Sequence, residues 1–459
     1  MTTSPSERFR NVRLGRATAV LACTAALTLT AAACTGSSSS TGSKGDVGSS
    51  AAPVTITFWH GWSAPNELKA INTSIAAFEK ANPNIKVKAV GNDTDDKVNQ
   101  ALRAGGANAP DVVSTFSTNN VGQYCSSHAF ADLTPFMKAD GLDPVKTFPK
   151  SMLDYTNYKG DQCALPQLGD AFGLYYNTDM FKAAGIASPP KTLSEFDADA
   201  VKLTKVSGDS YSQLGFMPNF HGYETQSEHL LGQWGPTYFT SDGKSNVAKD
   251  PAFTQMLTWQ QGLVKQLGGF TKLEKYRNTF GDEFSAKNPF ETGKVAMAMD
   301  GEWRVSMIKG DAPDLHYATA PFPVPDALAS TYGRGYQTGT IIGMNAKSTK
   351  QAAAWKFLKF MTTDTPMLVQ FANAISNVPS TFDSLKDPAL DHSAQFQTFL
   401  DIANNPNTNT TPATVNGGKY LTSIQNFEYD FESGKVKNLQ SGLSGLATTI
   451  DNDLAQAGQ

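Results

Sequence analysis

Cys125, in YCSSH, and Cys163, in GDQCA, are residues with covalent chemistry available to them. A thiolate nucleophile would want a basic neighbour, and a zinc site would want more ligands. In an exported chain such a pair favours a disulfide. The six histidines include no i, i+4 pair of the kind that grips zinc. The acidic run DTDDK, Asp93–Lys97, lacks the glycine of a calcium-binding hand. GRGYQTG, from Gly333 to Gly339, spaces its last glycine wrongly for a dinucleotide loop, and no P-loop occurs. Tyr175 and Tyr176 are adjacent, so on a strand they face opposite ways and cannot share a metal. The residues therefore point to no metal, no cofactor and no catalytic nucleophile.

Arg8, Arg10, Arg13 and Arg16 precede an uncharged run from Ala17 to Ala33. Basic start, apolar middle and small residues before a cut are the layout of a secretory signal. The apolar run is shorter than the ~20 residues of a spanning helix. Cys34, after Ala31–Ala33, resembles the cysteine of a bacterial lipoprotein signal, which is lipidated and becomes the first residue. Its box is imperfect, with Ala31 where leucine is usual; Cys23 sits in a better local box but would leave almost no apolar region. Residues 35–52, rich in Ser and Gly, read as a flexible tether. We therefore expect residues 1–34 to be a signal ending at the lipidation site. The protein would then sit lipid-anchored on the outer face of the cytoplasmic membrane.

Of 459 residues, 40% are hydrophobic and 17% charged, as in a globular protein with a sizeable core. The length beyond the tether suits two lobes. Net charge is −4; the first 34 residues carry +3, which leaves −7 on the exported part. That charge opposes nucleic-acid binding, which relies on Lys and Arg to neutralise phosphates.

Alternating Val54, Ile56 and Phe58 predict a first strand, and Leu68, Ile71, Ile75 and Phe78 a helix. NIKVKAV, DDKVNQALRAGG and PDVVSTF continue as strand, helix and strand. This alternation argues parallel strands with crossover helices, an α/β lobe. Ligands in such sheets bind beyond the carboxyl ends of the strands. That places His60, Trp62 and Asn66 after strand one, and Asn119 and Asn120 after strand three, as candidates. Further on, AFGLYYN, GKVAMAMDGEW and TGTIIGMN read as strands, and TKQAAAWKFLKFMTT as a helix burying Ala353, Trp355, Phe357, Leu358 and Met361.

Seven stretches, in order across residues 54–381, resemble the extracellular solute-binding proteins of bacterial ABC importers, in the carbohydrate-binding group related to maltose-binding protein. They are FWHGW; NAPDVVSTF; HAFADLTPF; ALPQLGDAFGLYYNTDMFKAAGI with PPKTLSEF; FETGKVAMAMDGEW; APFPVP; and AAAWKFLKFMTT with NVPST. The region after 381 matches poorly. The resemblance implies a two-lobed α/β fold with a hinge and an interlobe cleft. Lobe 1 would be 53–166 plus 340–388, and lobe 2 would be 167–337 plus 395–459. It also implies a carbohydrate ligand, a membrane permease as partner, a monomer and no chemistry on the sugar.

A sugar offers hydroxyls at its edges and apolar C–H groups on its faces, so its site wants carboxylates, amides and flat rings. By resemblance Trp303, in GEW, is the stacking ring, Tyr223 a second ring and Asp170 the hinge carboxylate. Glu302 is a further acceptor, Gly339 with Thr338 marks the second hinge crossing, and Tyr420 enters from the tail. Two alternatives stand beside this reading. One is the same fold carrying a glycerol-phosphate, polyamine or peptide. The other is an exported glycosidase, which needs two positioned carboxylates. A phosphate would want a cation in the cleft, for which Arg304 and Arg334 are nearest in sequence.

Overall fold

The computed structural model describes residues 52–458 except 107 and 221. Cys34, the signal and the tether up to residue 51 lie outside the described residues.

The described residues open with strand β1 (Val54–His60), helix α1 (Pro65–Ala81), strand β2 (Ile85–Val90), helix α2 (Asp95–Ala104) and strand β3 (Val112–Thr115). In α1, Pro65 takes the first turn, where its missing N–H is no loss, and Glu67 accepts from the Ala64 amide at 2.8 Å. Ile71, Ile75 and Phe78 lie on its buried face. The acidic run has a local explanation. Thr94 caps α2 by accepting from Lys97 N, Asp95 and Asp96 sit at its positive end, and Gly105 at φ 63° stops it. Among the described residues no cluster of His, Cys, Asp and Glu could hold a metal ion.

Helix α3 (Lys150–Asp154) leads to the longest strand, β4 (Ala164–Asn177). After helix α4 (Ser227–Leu231) come β5 (Met297–Gly301), α5 (Trp303–Asp311), β6 (Tyr317–Ala320) and β7 (Gln337–Met344). Helices α6 (Gln351–Thr363) and α7 (Thr365–Ile375), the short strand β8 (Val378–Pro379) and helices α8 (Ala394–Asn404), α9 (Lys419–Glu432) and α10 (Leu439–Ala457) finish the chain. No described helix is long and apolar enough to cross a membrane.

The main sheet runs β6-β4-β7-β3-β1-β2, with β5 and β8 also paired to β4. The first three strands are parallel, as the alternation predicts, whereas β7 is antiparallel to both β3 and β4. β4 has 14 residues, so it extends for about 46 Å. Its first part pairs with β7 and its last part with β5 and β6. Pro166 sits in this internal strand where the β4–β7 register shifts, at the irregularity a missing N–H requires. Ala353, Trp355, Phe357, Leu358 and Met361 are all buried on α6. The sulfurs of Cys125 and Cys163 are 2.08 Å apart, which ties the helix at Val121–Ser126 to the start of β4.

Candidate ligand-binding site

Alternation along β4 and β7 sets the floor. Asp170 pairs with Thr338, and Phe172 N donates to Tyr336 O at 3.3 Å, so these four side chains share one face. The turn after β3 reaches the same face, with the Thr118 and Thr338 hydroxyls 3.0 Å apart.

Glu302 and Asn377 come to Asp170 from distant positions in the chain. Asn377 Nδ2 donates at 2.6 Å to Asp170 Oδ1 and at 2.6 Å to Glu302 Oε1. Ala171 N donates to Glu302 Oε2 at 2.8 Å. Burial pushes Asp170 up to about 6, with the Glu302 hydrogen bond opposing. Burial, then the charge of Asp170, raises Glu302 well above the carboxylate range.

Aromatic rings adjoin the carboxyls. Gly301 ends β5 opposite Phe172, and a Cβ there would lie 2.3 Å from the Trp303 ring. The glycine thus lets Trp303 fold back and meet Phe172 edge-on, with centroids 5.5 Å apart at 86°. Tyr223 lies 6.3 Å from Trp303, 39% exposed, and Phe284 lies 5.8 Å from Tyr223. His229 stacks on Phe172 at 3.8 Å, and its burial drives its pKa down to about 3, so it stays neutral. The indole N–H of Trp303 is buried without a partner.

Arg304 fastens this wall from behind. It is fully buried; Nε donates to Asp300 at 2.7 Å, Nη1 to Glu291 at 3.0 Å and Nη2 to the Glu283 carbonyl at 2.7 Å. Glu283 in turn accepts from Tyr223 N at 3.2 Å. Arg304 is therefore committed to carboxylates and is not a free cation for a phosphate. Arg334 is half-buried, and desolvation lowers its pKa.

Other expected site residues fall elsewhere. Trp62 is 2% exposed and enclosed by His60, Phe116 and Phe371, so it belongs to the core and offers no face. His60 is buried between Phe58 and Trp62, and desolvation lowers its pKa. Tyr420 is also core: its hydroxyl donates to Pro412 O at 2.9 Å and its ring meets Tyr238 and Phe239. Gly339 has a packing reason, since a Cβ there would lie 2.2 Å from Leu168 O and 2.8 Å from the Tyr155 hydroxyl. Asn119 is half-buried and accepts from the Thr411 hydroxyl at 3.4 Å, facing the C-terminal segment. Asn66 is exposed at the start of α1. Asp170, Glu302, Trp303 and Tyr223 are the expected residues that come together.

Sequence reasoning missed Phe172, Phe284, His229 and Asn377. Phe172 could have been found, two residues from Asp170 on one strand. Asn377 had no local signal.

A separate groove of about 1010 Å³ is lined by α3 residues Leu153 and Asp154, by Met137 and Val145, and by Tyr238 and Phe239. Neither Asp170 nor Trp303 lines it. It lacks the juxtaposed carboxyls and half-buried indole, so the Asp170 face is the better match to a polar, ring-shaped ligand.

A family model for bacterial extracellular solute-binding proteins matches residues 73–398, and the chain belongs to that family. It is 28% identical over 221 residues to a binding protein of Brucella abortus; the match covers 47% of this chain and spans only half, 50%, of that relative. An ABC transporter extracellular-binding protein of Pyrococcus horikoshii is 25% identical over 386 residues, 79% of each chain. Among solved structures, CpMnBP1 with mannotriose bound superposes with a TM-score of 0.72 at 24% identity, covering 86% of this chain and 99% of that one. The fold is thus the two-lobed α/β fold of binding proteins.

Proposed function

We propose that this protein is the ligand-capturing component of an ABC importer, holding an uncharged mono- to oligosaccharide in a cleft between two lobes. The observation that carries the reading is Asp170 beside the ring wall of Phe172, Tyr223 and Trp303. A carboxyl at a hydroxylated edge and an indole against an apolar face are what a pyranose needs. The family membership and the mannotriose-bound relative of the same fold support it.

In this reading lobe 1 is 53–166 plus 340–388, lobe 2 is 167–337 plus 395–459, and the chain crosses along β4 and β7. Ligand contacts to both lobes favour closure by differential affinity, and the closed form docks on a membrane permease. Cys34 carries the lipid anchor and residues 35–52 tether a monomer to the outer face of the membrane, which keeps its local concentration high. The Cys125–Cys163 bond forms after export. The sugar is released unchanged.

An amine-bearing solute is the second reading, favoured by one observation: among the described residues the Asp170–Glu302 pair has no cationic partner. Calorimetric titration against short oligosaccharides, mannotriose first, and against spermidine decides between them. We expect micromolar or tighter binding of a sugar. Trp303→Ala should weaken it by roughly tenfold to a hundredfold, ~1.4–2.8 kcal/mol. Binding that survives the substitution would keep the function and reject the stacking role. A labelled oligosaccharide should be recovered intact; cleavage would turn the reading to the glycosidase.

A further inference from the structure

Asn377 spans two carboxyls that come from different parts of the chain. Its one amide nitrogen donates to Asp170 Oδ1 and Glu302 Oε1, each at 2.6 Å, so those oxygens lie no more than about 5 Å apart. Glu302 is fully buried and Asp170 half-buried. The titratable groups facing the pair are the hydroxyls of Tyr155, Tyr175 and Tyr223, all neutral at ordinary pH. Tyr155 donates to Leu168 O at 3.3 Å and Tyr175 to Gly301 O at 2.8 Å. Arg304, two residues from Glu302, is engaged by Asp300 and Glu291. Among the described residues no ion pair reaches either carboxyl. Two carboxylates this close, one fully buried and neither paired with a cation among the described residues, repel each other's charge, which favours keeping one proton on the pair.

We propose that Asp170 and Glu302 hold one proton between them, clamped by Asn377, and that this shared proton makes the site select an uncharged, hydroxyl-bearing ligand. The inference rests on the sugar-capture reading and deepens it. With one proton the pair can both donate and accept, which is what a hydroxyl can answer. A neutral ligand that covers Asp170 removes its remaining water, so the pair holds its proton more tightly, and binding at a pH between the ligand-free and ligand-bound titrations takes a proton up. An amine would expel the proton. A phosphate would meet a residual negative charge with no cation to offset it. Asn377 is a positioning residue: it precedes β8, where Val378 pairs with Gly169 of β4, and holds both carboxyls in register.

The test uses the intact protein. Mannotriose and spermidine are titrated between pH 6 and 9 in buffers of low and high ionisation enthalpy, which reads the protons exchanged. The ligand-free carboxyls are followed by carbon-13 NMR, which needs no cargo. We expect proton uptake with mannotriose and a Kd that rises with pH, by at most about tenfold per unit for one proton. Glu302→Gln should flatten that slope. In the ligand-free protein one carboxyl proton should persist above pH 6. Two carboxyls ionised by pH 6, or sugar binding without proton uptake anywhere between pH 6 and 9, overturns the inference whatever the cargo. Silence toward mannotriose and the wider sugar panel with the NMR proton present overturns the sugar reading and leaves the shared proton standing. Spermidine binding with proton release overturns the selectivity.

Discussion

Trp62 and Trp303 each lie within two residues of a strand end and of a glycine, yet one is core and the other half-buried beside the candidate site. The difference lies in what each meets. Trp62 is capped by Phe371 of α7, more than 300 positions away, with centroids 5.0 Å apart. No local pattern reports such a neighbour, which is why the loop residues of strand one were misplaced. Trp303 and Asp170 were legible only through resemblance of the surrounding motifs. The two rings should separate in mutagenesis. Trp62→Ala should lower stability by about 3–5 kcal/mol, the range for a large buried ring, while the folded fraction still binds ligand. Denaturant unfolding checks this; a stable variant with lost binding would return Trp62 to the site.

At the scale of elements, the helices and first strands were legible because burial imposes a period: Ile71, Ile75 and Phe78 are buried as their spacing predicts. The sequence pattern starts β4 only at Ala171, because ALPQLGD has a proline, a glycine and the polar Gln167 and Asp170, a composition that looks like a turn. The register shift at Pro166 and the close packing at Gly169 explain how they lie in a strand. GKVAMAMDGEW was read as one strand, but β5 ends at Gly301 and Trp303 begins α5. The disulfide reading concerns elements too. It links residues 38 apart, and for a loop of that size chain entropy gives ~3–4 kcal/mol. Reduction, or Cys125→Ser, should therefore lower the thermal midpoint of the purified protein. An unchanged midpoint would mean that the bond contributes nothing to its stability.

Across the whole molecule the buried acids set a pH trend. Burial raises Asp170 and Asp197 to about 6 and Glu228 to about 7, and holds Glu224, Glu302 and Glu428 well up. Their folded values exceed their unfolded ones, so between about pH 4 and 7 the folded state binds more protons. Stability present below that window is lost as pH rises through it. The thermal midpoint should be higher at pH 5 than at pH 8; a midpoint that climbs with pH would show that other groups dominate. Net charge and composition hinted at none of this, because burial of individual carboxyls is a property of the assembled fold.

β4 is hydrogen-bonded to β7 and β8 near its start and to β5 and β6 near its end. No cut along it leaves two complete sheets. A chain stopped early or nicked there should yield no half-working fragment for the cell to keep. Proteostasis would meet this protein either whole or as something to degrade.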